Sequence, residues 1–261
     1  MARSKKKKDK RKNKGWLIVL MIVIILFAYS VFTYIKQTRE NAAEFVRYPA
    51  FGIDVPVGYS IHGIDVSRYQ GYISWPAVKN MKVKDVQIGF AFMKATEGLK
   101  NVDKQFKRNW TKAKEAGITR GAYHFFITTK SGKAQAMNFI KNVVLEPGDL
   151  PPVLDIEHLY GVRPEVMRQQ IKEWLQLIKN TYKVKPIIYT YVDFYNRYLG
   201  SEFDEYPLWI AHYFAQREPR IERKWLFWQF NDGGSVDGIL PKTDFNVFSS
   251  DSVDFKALLI K

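Results

Sequence analysis

Short apolar runs alternate with amphipathic helical segments from residue 61 onward, and this alternation constrains the fold more than any other feature of the chain. The strand candidates are HGIDVS (62–67), VQIGFAFMKAT (86–96), RGAYHFF (120–126), PPVLDIE (151–157), KPIIYTY (185–191), YPLWIAHY (206–213), WLFWQF (225–230) and DFNVF (244–248). The helix candidates are SWPAVKNM (74–81), VDKQFKRNWTKAKEAG (102–117), SGKAQAMNFIKNVV (131–144) and RPEVMRQQIKEWLQLIKNTY (163–182). Gly117 follows the second helical segment, where a glycine commonly ends a helix.

Strands that alternate with helices predict a parallel sheet. The strand candidates are almost continuously apolar, so we expect both faces of this sheet to be covered. Eight such strands over about 200 residues predict an α/β fold of the TIM-like barrel type. Little helical sequence separates the last three strands, which predicts an irregular barrel whose closing side is mostly β-structure.

The N-terminal segment predicts a membrane anchor. Residues 1–15 hold seven Lys and two Arg against one Asp, a net +8 of the chain's total +15. Residues 16–35 then carry no formal charge over 20 positions, which is enough for a helix to span a bilayer. This run is longer than the apolar region of a cleavable signal peptide and lacks a clear cleavage site. We therefore predict a single-pass protein of the cell membrane, with a cytoplasmic basic tail and an extracytoplasmic C-terminal domain.

Residues 36–60 are broken by prolines and glycines and predict a linker, so the barrel domain is expected over 61–261. A nucleic-acid-binding arm is the alternative for the basic run, and the spanning segment directly after it argues against that alternative. The chain has no cysteine, which excludes disulfides, thiolate metal sites and cysteine nucleophiles. We expect no cofactor, no nucleic-acid partner and a monomer.

The stretch LDIE at residues 154–157 places two acids on one face of a predicted strand. Side chains alternate along a strand, so Asp155 and Glu157 point the same way, at the carboxyl end where barrel active sites lie. Two adjacent carboxyl groups repel each other when both are ionised, so one tends to keep its proton. A protonated and an ionised carboxyl are what glycoside cleavage requires. The alternative is that basic residues neutralise one or both acids.

Two further acids belong to the first and last predicted strands. Asp65 lies near the end of the first, and Asp244 begins the last. These strands are neighbours in a closed barrel, so four acids would surround one end of it. A turn or a helix cap remains the alternative for Asp65, since serine and glycine follow it.

Eight motifs follow one another along the strand candidates: GIDVSRYQG, FMKATEG, GAYHFF, PPVLDIE, IIYTY, LWIAHY, FWQF and DFNVF. In this order they resemble the motifs of glycoside hydrolase family 25, over residues 61–260. The resemblance implies an irregular (β/α)5β3 barrel and hydrolysis of the β-1,4 bond between N-acetylmuramic acid and N-acetylglucosamine in peptidoglycan. It also implies that Glu157 is the general acid and that Asp155 assists the substrate's 2-acetamido group. Asp65 and Asp244 match the remaining acids of the family's site.

Aromatic and basic residues complete the expected site. The resemblance places Tyr123 and Tyr189 in the cleft, and Trp209 and Trp228 either stack on sugars or pack in the core. Trp228 and its neighbour Gln229 point to opposite faces of a strand, so only one of them can line the cleft. Lys94 is expected at the rim, in an ion pair with Glu97.

Two other hypotheses remain open at this point. One is a barrel that binds the wall without catalysis, as a tether or scaffold. The other is a carboxylate–metal hydrolase, which the scattered histidines at positions 62, 124, 158 and 212 disfavour because none of them has metal-ligand spacing.

Overall fold

A computed structural model of the chain describes residues 12–40, 45–213, 215 and 217–261. Most of the predicted basic tail, residues 1–11, lies outside the described residues. The chain divides into two compact units, Met1–Ala43 and Glu44–Lys261.

The first unit contains one long helix, α1 (Lys12–Glu40). Its apolar part, Trp16–Tyr34, has 19 residues and a mean hydropathy of 2.6, and all these side chains are at least partly exposed. At 1.5 Å per residue this part is about 28 Å long, close to the thickness of a bilayer's hydrocarbon core. The helix therefore meets the length and composition required of a membrane span, although a signal sequence can meet the same requirement.

The second unit is built on a closed sheet of eight strands in the ring order β3-β5-β7-β8-β9-β10-β11-β12-β3. The strands described in this unit are β1 (Phe45–Tyr48), β2 (Ile53–Pro56), β3 (His62–Val66), β4 (Lys82–Val83), β5 (Val86–Glu97), β6 (Asn101–Val102), β7 (Thr119–Phe125), β8 (Val153–Asp155), β9 (Ile187–Tyr191), β10 (Leu208–Ala211), β11 (Phe227–Val236) and β12 (Ile239–Phe248). Neighbouring strands from β3 to β11 run parallel, and β12 is antiparallel to both of its neighbours. The predicted strands are confirmed, and so is the mixed α/β barrel class.

Helices cover the outside of most of this ring. They are α2 (Trp75–Asn80), α3 (Phe106–Glu115), α4 (Gly132–Asn142), α5 (Pro164–Tyr182) and α6 (Val192–Phe194). The last helix, α7 (Ser252–Leu258), instead packs Phe255 against Phe90 and Phe227 of the inner core. Short helical turns follow α6 at Tyr195–Leu199 and Gly200–Phe203. All four predicted helices are confirmed. Gly117 has φ +73° just beyond α3, a left-handed conformation that a side chain disfavours.

Two apolar layers explain why the strands are buried on both faces. Outward side chains of the strands pack under the helices, as the buried face of α5 shows with Met167, Ile171 and Trp174. Inward side chains fill the barrel, where Phe92 packs on Trp209 at 4.3 Å between ring centroids. A Cβ on Gly121 would lie 2.4 Å from the Phe92 ring, so glycine at this position leaves room for the aromatic core.

The linker predicted over residues 36–60 is wrong for its C-terminal part. β1 and β2 form an antiparallel hairpin, and Tyr48, Phe51 and Val55 are buried in the outer core of the second unit. Phe51 packs against Phe245 of β12 at 5.2 Å between ring centroids. The compact unit therefore begins near residue 44 rather than at residue 61. Residues 41–44 lie outside the described residues.

Candidate active site

All four predicted acids meet at one cavity of about 290 Å³, three of them from the carboxyl ends of the parallel strands β3 and β8 and the fourth from the antiparallel strand β12. Asp155 ends β8, and Glu157 follows it by two residues. Asp65 lies on β3, directly opposite Asp244 of β12 in the strand register. The cavity is also lined by Val66, Ser67, Tyr69, Gln70, Lys94, Tyr123, Phe125, Tyr189, Trp209, Tyr213 and Gln229.

Asp65 is buried and held by two amide side chains. Its Oδ2 accepts hydrogen bonds from Gln229 Nε2 at 2.7 Å and from Asn246 Nδ2 at 2.8 Å. Burial raises the pKa of Asp65, and these hydrogen bonds oppose that rise because they stabilise the carboxylate. Of the two facing acids Asp65 and Asp244, Asp65 is thus the one whose ionised form is better stabilised.

A second layer of hydrogen bonds fixes the two amides. The hydroxyls of Tyr189 and Tyr213 both donate to Gln229 Oε1, at 2.7 and 2.6 Å, so the Gln229 amino group must face Asp65. Trp209 Nε1 donates to Asn246 Oδ1 at 2.8 Å and orients that amide in the same way. Tyr189, Tyr213 and Trp209 thereby orient the two amides so that their amino groups face Asp65.

The sequence did not single out Gln229, Asn246 or Tyr213 as site residues. A signal was present for two of them. Asn246 lies two positions after Asp244 and therefore on the same face, and Gln229 must face opposite to Trp228. Tyr213 lies after β10 in an irregular segment, where alternation gives no orientation.

Asp244 and Asp155 are the acids whose environment most favours a bound proton. Burial raises the pKa of Asp244, and the charge of Asp65 and a hydrogen bond between the two carboxyl groups raise it further. Burial also raises the pKa of Asp155 well above its usual range, and the charge of Glu157 adds to that rise. Asp155 Oδ1 is buried and has no hydrogen-bond partner among the described residues. Asp155 as a residue lines the acid cavity, so its carboxyl group lies beside the space that a bound molecule would occupy.

Lys94 forms the predicted ion pair, since its Nζ lies 2.6 Å from Glu97 Oε2. The same ammonium lies over the ring of Phe125 at 4.5 Å from the centroid. Lys94 is partly buried and lines the cavity, where its positive charge acts on Asp155 to lower that residue's pKa against the larger effects of burial and Glu157. It is thus a cation close to the acid pair.

The predicted aromatic residues divide between the cleft and the core. Tyr123, Tyr189 and Trp209 line the cavity, with Trp209 at its floor and only 2% exposed. The prediction for Trp228 is wrong, because this side chain points away from the cavity and is 0% exposed. It packs in the outer core, 5.9 Å from Phe45 between ring centroids. Both faces of β11 are buried, so apolar character could not show which face Trp228 takes.

A larger cavity of about 650 Å³, which we call the side lobe, adjoins the acid cavity. The two cavities share Glu157, Tyr189 and Tyr213. The remaining walls of the side lobe come from Tyr191, Val192, Asp193, Asn196, Ala211, His212 and Arg220. Glu157 therefore stands where the two cavities meet.

The described residues contain no group of three or more His, Cys, Asp or Glu side chains that could hold a metal ion. His124 is used in packing instead. Its ring is buried between Thr96 Oγ1 at 2.7 Å and Gln135 Oε1 at 3.2 Å, and burial lowers its pKa to about 4. The chemistry of this site therefore rests on carboxyl groups, amides and phenols.

Comparison with known proteins identifies the kind of protein that carries this arrangement. Residues 64–239 match the model of "Glycosyl hydrolases family 25". Lysozyme M1 of Streptomyces globisporus is 37% identical over 213 residues, which cover 76% of this chain and 71% of the relative. The uncharacterized protein YegX of Escherichia coli K12 is 37% identical over 246 residues, covering 92% and 90%. The solved structure of a family 25 glycosyl hydrolase from Bacillus anthracis superposes with a TM-score of 0.71 at 32% identity, covering 78% of this chain and 95% of that one.

Proposed function

Because this chain belongs to glycosyl hydrolases family 25 and is a glycoside hydrolase, we propose that it cleaves the β-1,4 bond between N-acetylmuramic acid and N-acetylglucosamine in peptidoglycan. The observation that carries this proposal is the convergence of four carboxyl groups from β3, β8 and β12 on one cavity. Glycoside cleavage needs one carboxyl group that donates a proton and another group that stabilises the positive charge at the anomeric carbon.

Glu157 is the proposed general acid. It lies where the acid cavity and the side lobe meet, so a glycan occupying both cavities would place a glycosidic oxygen beside it. Asp155 and Glu157 share a proton, which passes from the Glu157 carboxyl to the leaving oxygen as the bond from that oxygen to the anomeric carbon breaks. The carboxylate that remains then accepts a proton from the incoming water.

Asp155 is the proposed partner of the substrate's 2-acetamido group. Its carboxyl group lines the acid cavity and can accept a hydrogen bond from the acetamido N–H, which orients the acetamido oxygen toward the anomeric carbon. That oxygen forms a bond to the carbon as the leaving group departs, and water later displaces it from the opposite side. Substrate-assisted cleavage of this kind is a recognised exception to the scheme with two protein carboxylates. Two displacements at the same carbon retain the β configuration.

Asp65 and Asp244 are proposed to complete the catalytic set. The pair is buried, shares a hydrogen bond and is fixed by Gln229 and Asn246. We propose that this rigid group positions a sugar hydroxyl, which can donate a hydrogen bond to the Asp65 carboxylate. Tyr123, Tyr189, Trp209 and Lys94 are the proposed substrate-binding residues, since each lines the same cavity.

Substitution of the two strand-end acids tests the proposed roles. Glu157→Gln removes the proton donor, and we expect hydrolysis of purified peptidoglycan to fall by at least about 100-fold. Asp155→Asn should also lose most of its activity. Release of reducing sugar measures both changes, and Glu165→Gln, an exposed acid on α5 with 70% side-chain exposure, is the matched control. Unchanged turnover in Glu157→Gln would contradict its role, and absence of turnover in the wild type would favour a binding protein without catalysis.

The configuration of the product tests the route. NMR during the first minutes of hydrolysis should show the β anomer, because the substrate-assisted route retains configuration. Initial appearance of the α anomer would instead indicate direct attack by a water that Asp155 or Asp65 activates.

The proposal also covers the cellular location, the oligomeric state and the barrel type of the enzyme. The apolar helix α1 is proposed as a single-pass anchor with the basic tail in the cytoplasm and the barrel outside, acting as a monomer. The barrel itself is proposed to be of the (β/α)5β3 kind. The helical segments between successive strands from β3 to β10 support this description, as does the β11–β12 hairpin that closes the ring.

A further inference from the structure

The side lobe has more than twice the volume of the acid cavity, at about 650 against 290 Å³. The two share Glu157, so a molecule bound at the acids has space to extend into the side lobe. A cavity of this size can take a substituent much larger than one sugar hydroxyl. The proposed roles of the residues in the acid cavity give no function to the side lobe.

Charge distinguishes the side lobe from the acid cavity. Asp193, on its wall, is an exposed residue that lies 3.7 Å from Arg197 and is thereby paired. The Arg220 side chain has neither an ion pair nor a hydrogen bond among the described residues, although most of the arginines described in this unit have one. Partial burial lowers the pKa of His212, and the charge of Arg220 adds to this effect, so His212 stays neutral beside it. Among the residues that line the side lobe, Arg220 is thus the one cation, beside the carboxyl groups of Glu157 and Asp193.

Hydrogen bonds of Arg220 N and of His212 fix the position of the Arg220 backbone, from which the guanidinium extends. Arg220 N donates to His212 Nδ1 at 3.2 Å. His212 is itself held to β11, because its N–H donates to the Gln229 carbonyl at 3.1 Å and its carbonyl accepts from Trp228 Nε1 at 3.0 Å. The buried indole of Trp228 therefore acts as a positioning group for the segment that carries Arg220, rather than as a sugar platform.

We infer that the side lobe binds the carboxylate-bearing substituent of the muramic acid residue, with Arg220 as the cation that recognises it. This inference rests on the proposed function. Muramic acid differs from glucosamine by an ether-linked lactyl group that ends in a carboxyl. Where a peptide stem is attached there, this carboxyl becomes an amide and the stem supplies carboxylates of its own. A guanidinium binds carboxylate in a planar, two-point geometry, which suits selection of this sugar over its neutral neighbour. Arg220 is then a specificity-determining residue and takes no part in bond cleavage.

Steady-state kinetics of the detergent-solubilised full chain test this inference. Peptide-free glycan strands carry the lactyl carboxylate, and the same strands coupled to methylamine carry a neutral amide. We expect Arg220→Gln to raise KM about 10- to 30-fold on the carboxylate strands with kcat within twofold, because a charge-assisted hydrogen bond is lost. On the amide strands, wild type and variant should be equal. Arg220→Lys should be intermediate, and Arg47→Gln, an exposed arginine on the N-terminal hairpin, is the control.

Intact peptidoglycan is the third substrate, and it separates two sources of the carboxylate. A KM effect of Arg220→Gln only on intact peptidoglycan assigns Arg220 to the peptide stem, and an effect on peptide-free strands assigns it to the lactyl group. Equal KM values for wild type and Arg220→Gln on all three substrates would overturn the inference.

A binding measurement separates this inference from the proposed function. Calorimetry measures how tightly Glu157→Gln and Glu157→Gln/Arg220→Gln bind peptide-free strands and intact peptidoglycan fragments. Weaker binding in the double variant, with no turnover in the wild type, would sink the hydrolase proposal and keep the side-lobe assignment. Equal binding in both variants would overturn that assignment.

Discussion

The four acids of the cleft differ from one another because each carboxyl group has different neighbours. Asp65 accepts hydrogen bonds from two amides, whereas Asp155 Oδ1 accepts none from the residues that the structure describes. Asp244 faces Asp65 across the β3–β12 pair and is the acid that keeps the shared proton. A chain that buries several carboxyl groups in this way accepts a cost in stability that increases as they ionise.

Asp244→Asn should therefore change how stability depends on pH. The pKa of Asp244 is raised in the folded state to about 9, so the folded protein holds a proton that the unfolded chain has already lost above about pH 4. Wild-type stability then falls as pH rises from about 4 to 9, and the asparagine variant lacks this contribution. We expect the Tm of Asp244→Asn relative to wild type to increase between pH 5 and pH 8.5, as measured by calorimetry. A constant difference across this range would show that Asp244 does not titrate as described.

At the scale of elements, the sequence predicted the barrel strands and helices α2 to α5 because each carries a strong local pattern. The β1–β2 hairpin was missed because its strands have only four residues each and prolines lie beside or within them. Its place is decided by tertiary contacts, chiefly Phe51 against Phe245, which no local pattern reports. A local pattern likewise could not decide between the cleft and the core for Trp228, since a strand buried on both sides has no polar face to identify the interior.

Phe51→Ala tests whether the hairpin belongs to the folded domain. Phe51 is fully buried between Tyr48 and Phe245, at 6.0 and 5.2 Å between ring centroids. We expect the free energy of unfolding to fall by about 3–5 kcal/mol in urea titration, as for other buried phenylalanines. Arg47→Gln on the same hairpin should change it by less than about 1 kcal/mol, because its ion pair with Asp54 is exposed. A loss below 1 kcal/mol for Phe51→Ala would mean that the hairpin detaches without consequence.

At the scale of the whole molecule, the chain joins an apolar helix to a glycoside hydrolase barrel. The convergence of the acids could be anticipated from the sequence, since closed barrels bring strand ends together and put the first strand beside the last. The hydrogen bonds of Gln229, Asn246 and Tyr213 could not be anticipated, although alternation indicated the faces of Gln229 and Asn246, because they depend on side-chain positions from three separate segments. The side lobe likewise arises only once the segments after β9 and β10 are placed in space.

The proposed topology can be tested with reporter fusions. The basic residues before the apolar run should keep the N-terminus in the cytoplasm, so a reporter joined after Lys261 should be active only outside it. Alkaline phosphatase and a cytoplasm-dependent fluorescent protein are suitable opposite reporters. Activity of the cytoplasmic reporter, or a mature protein whose N-terminus lies beyond residue 36, would contradict the anchor.

Identification of the new reducing end tests the central proposal most directly. Purified peptidoglycan is digested with the detergent-solubilised full chain, reduced with borohydride, hydrolysed in acid and analysed by mass spectrometry, with Glu157→Gln as the control. Cleavage after N-acetylmuramic acid converts that sugar to muramitol, so muramitol should accumulate with time in the wild-type digest and stay at background with Glu157→Gln. Accumulation of glucosaminitol, or equal muramitol with both proteins, would contradict the proposed reaction.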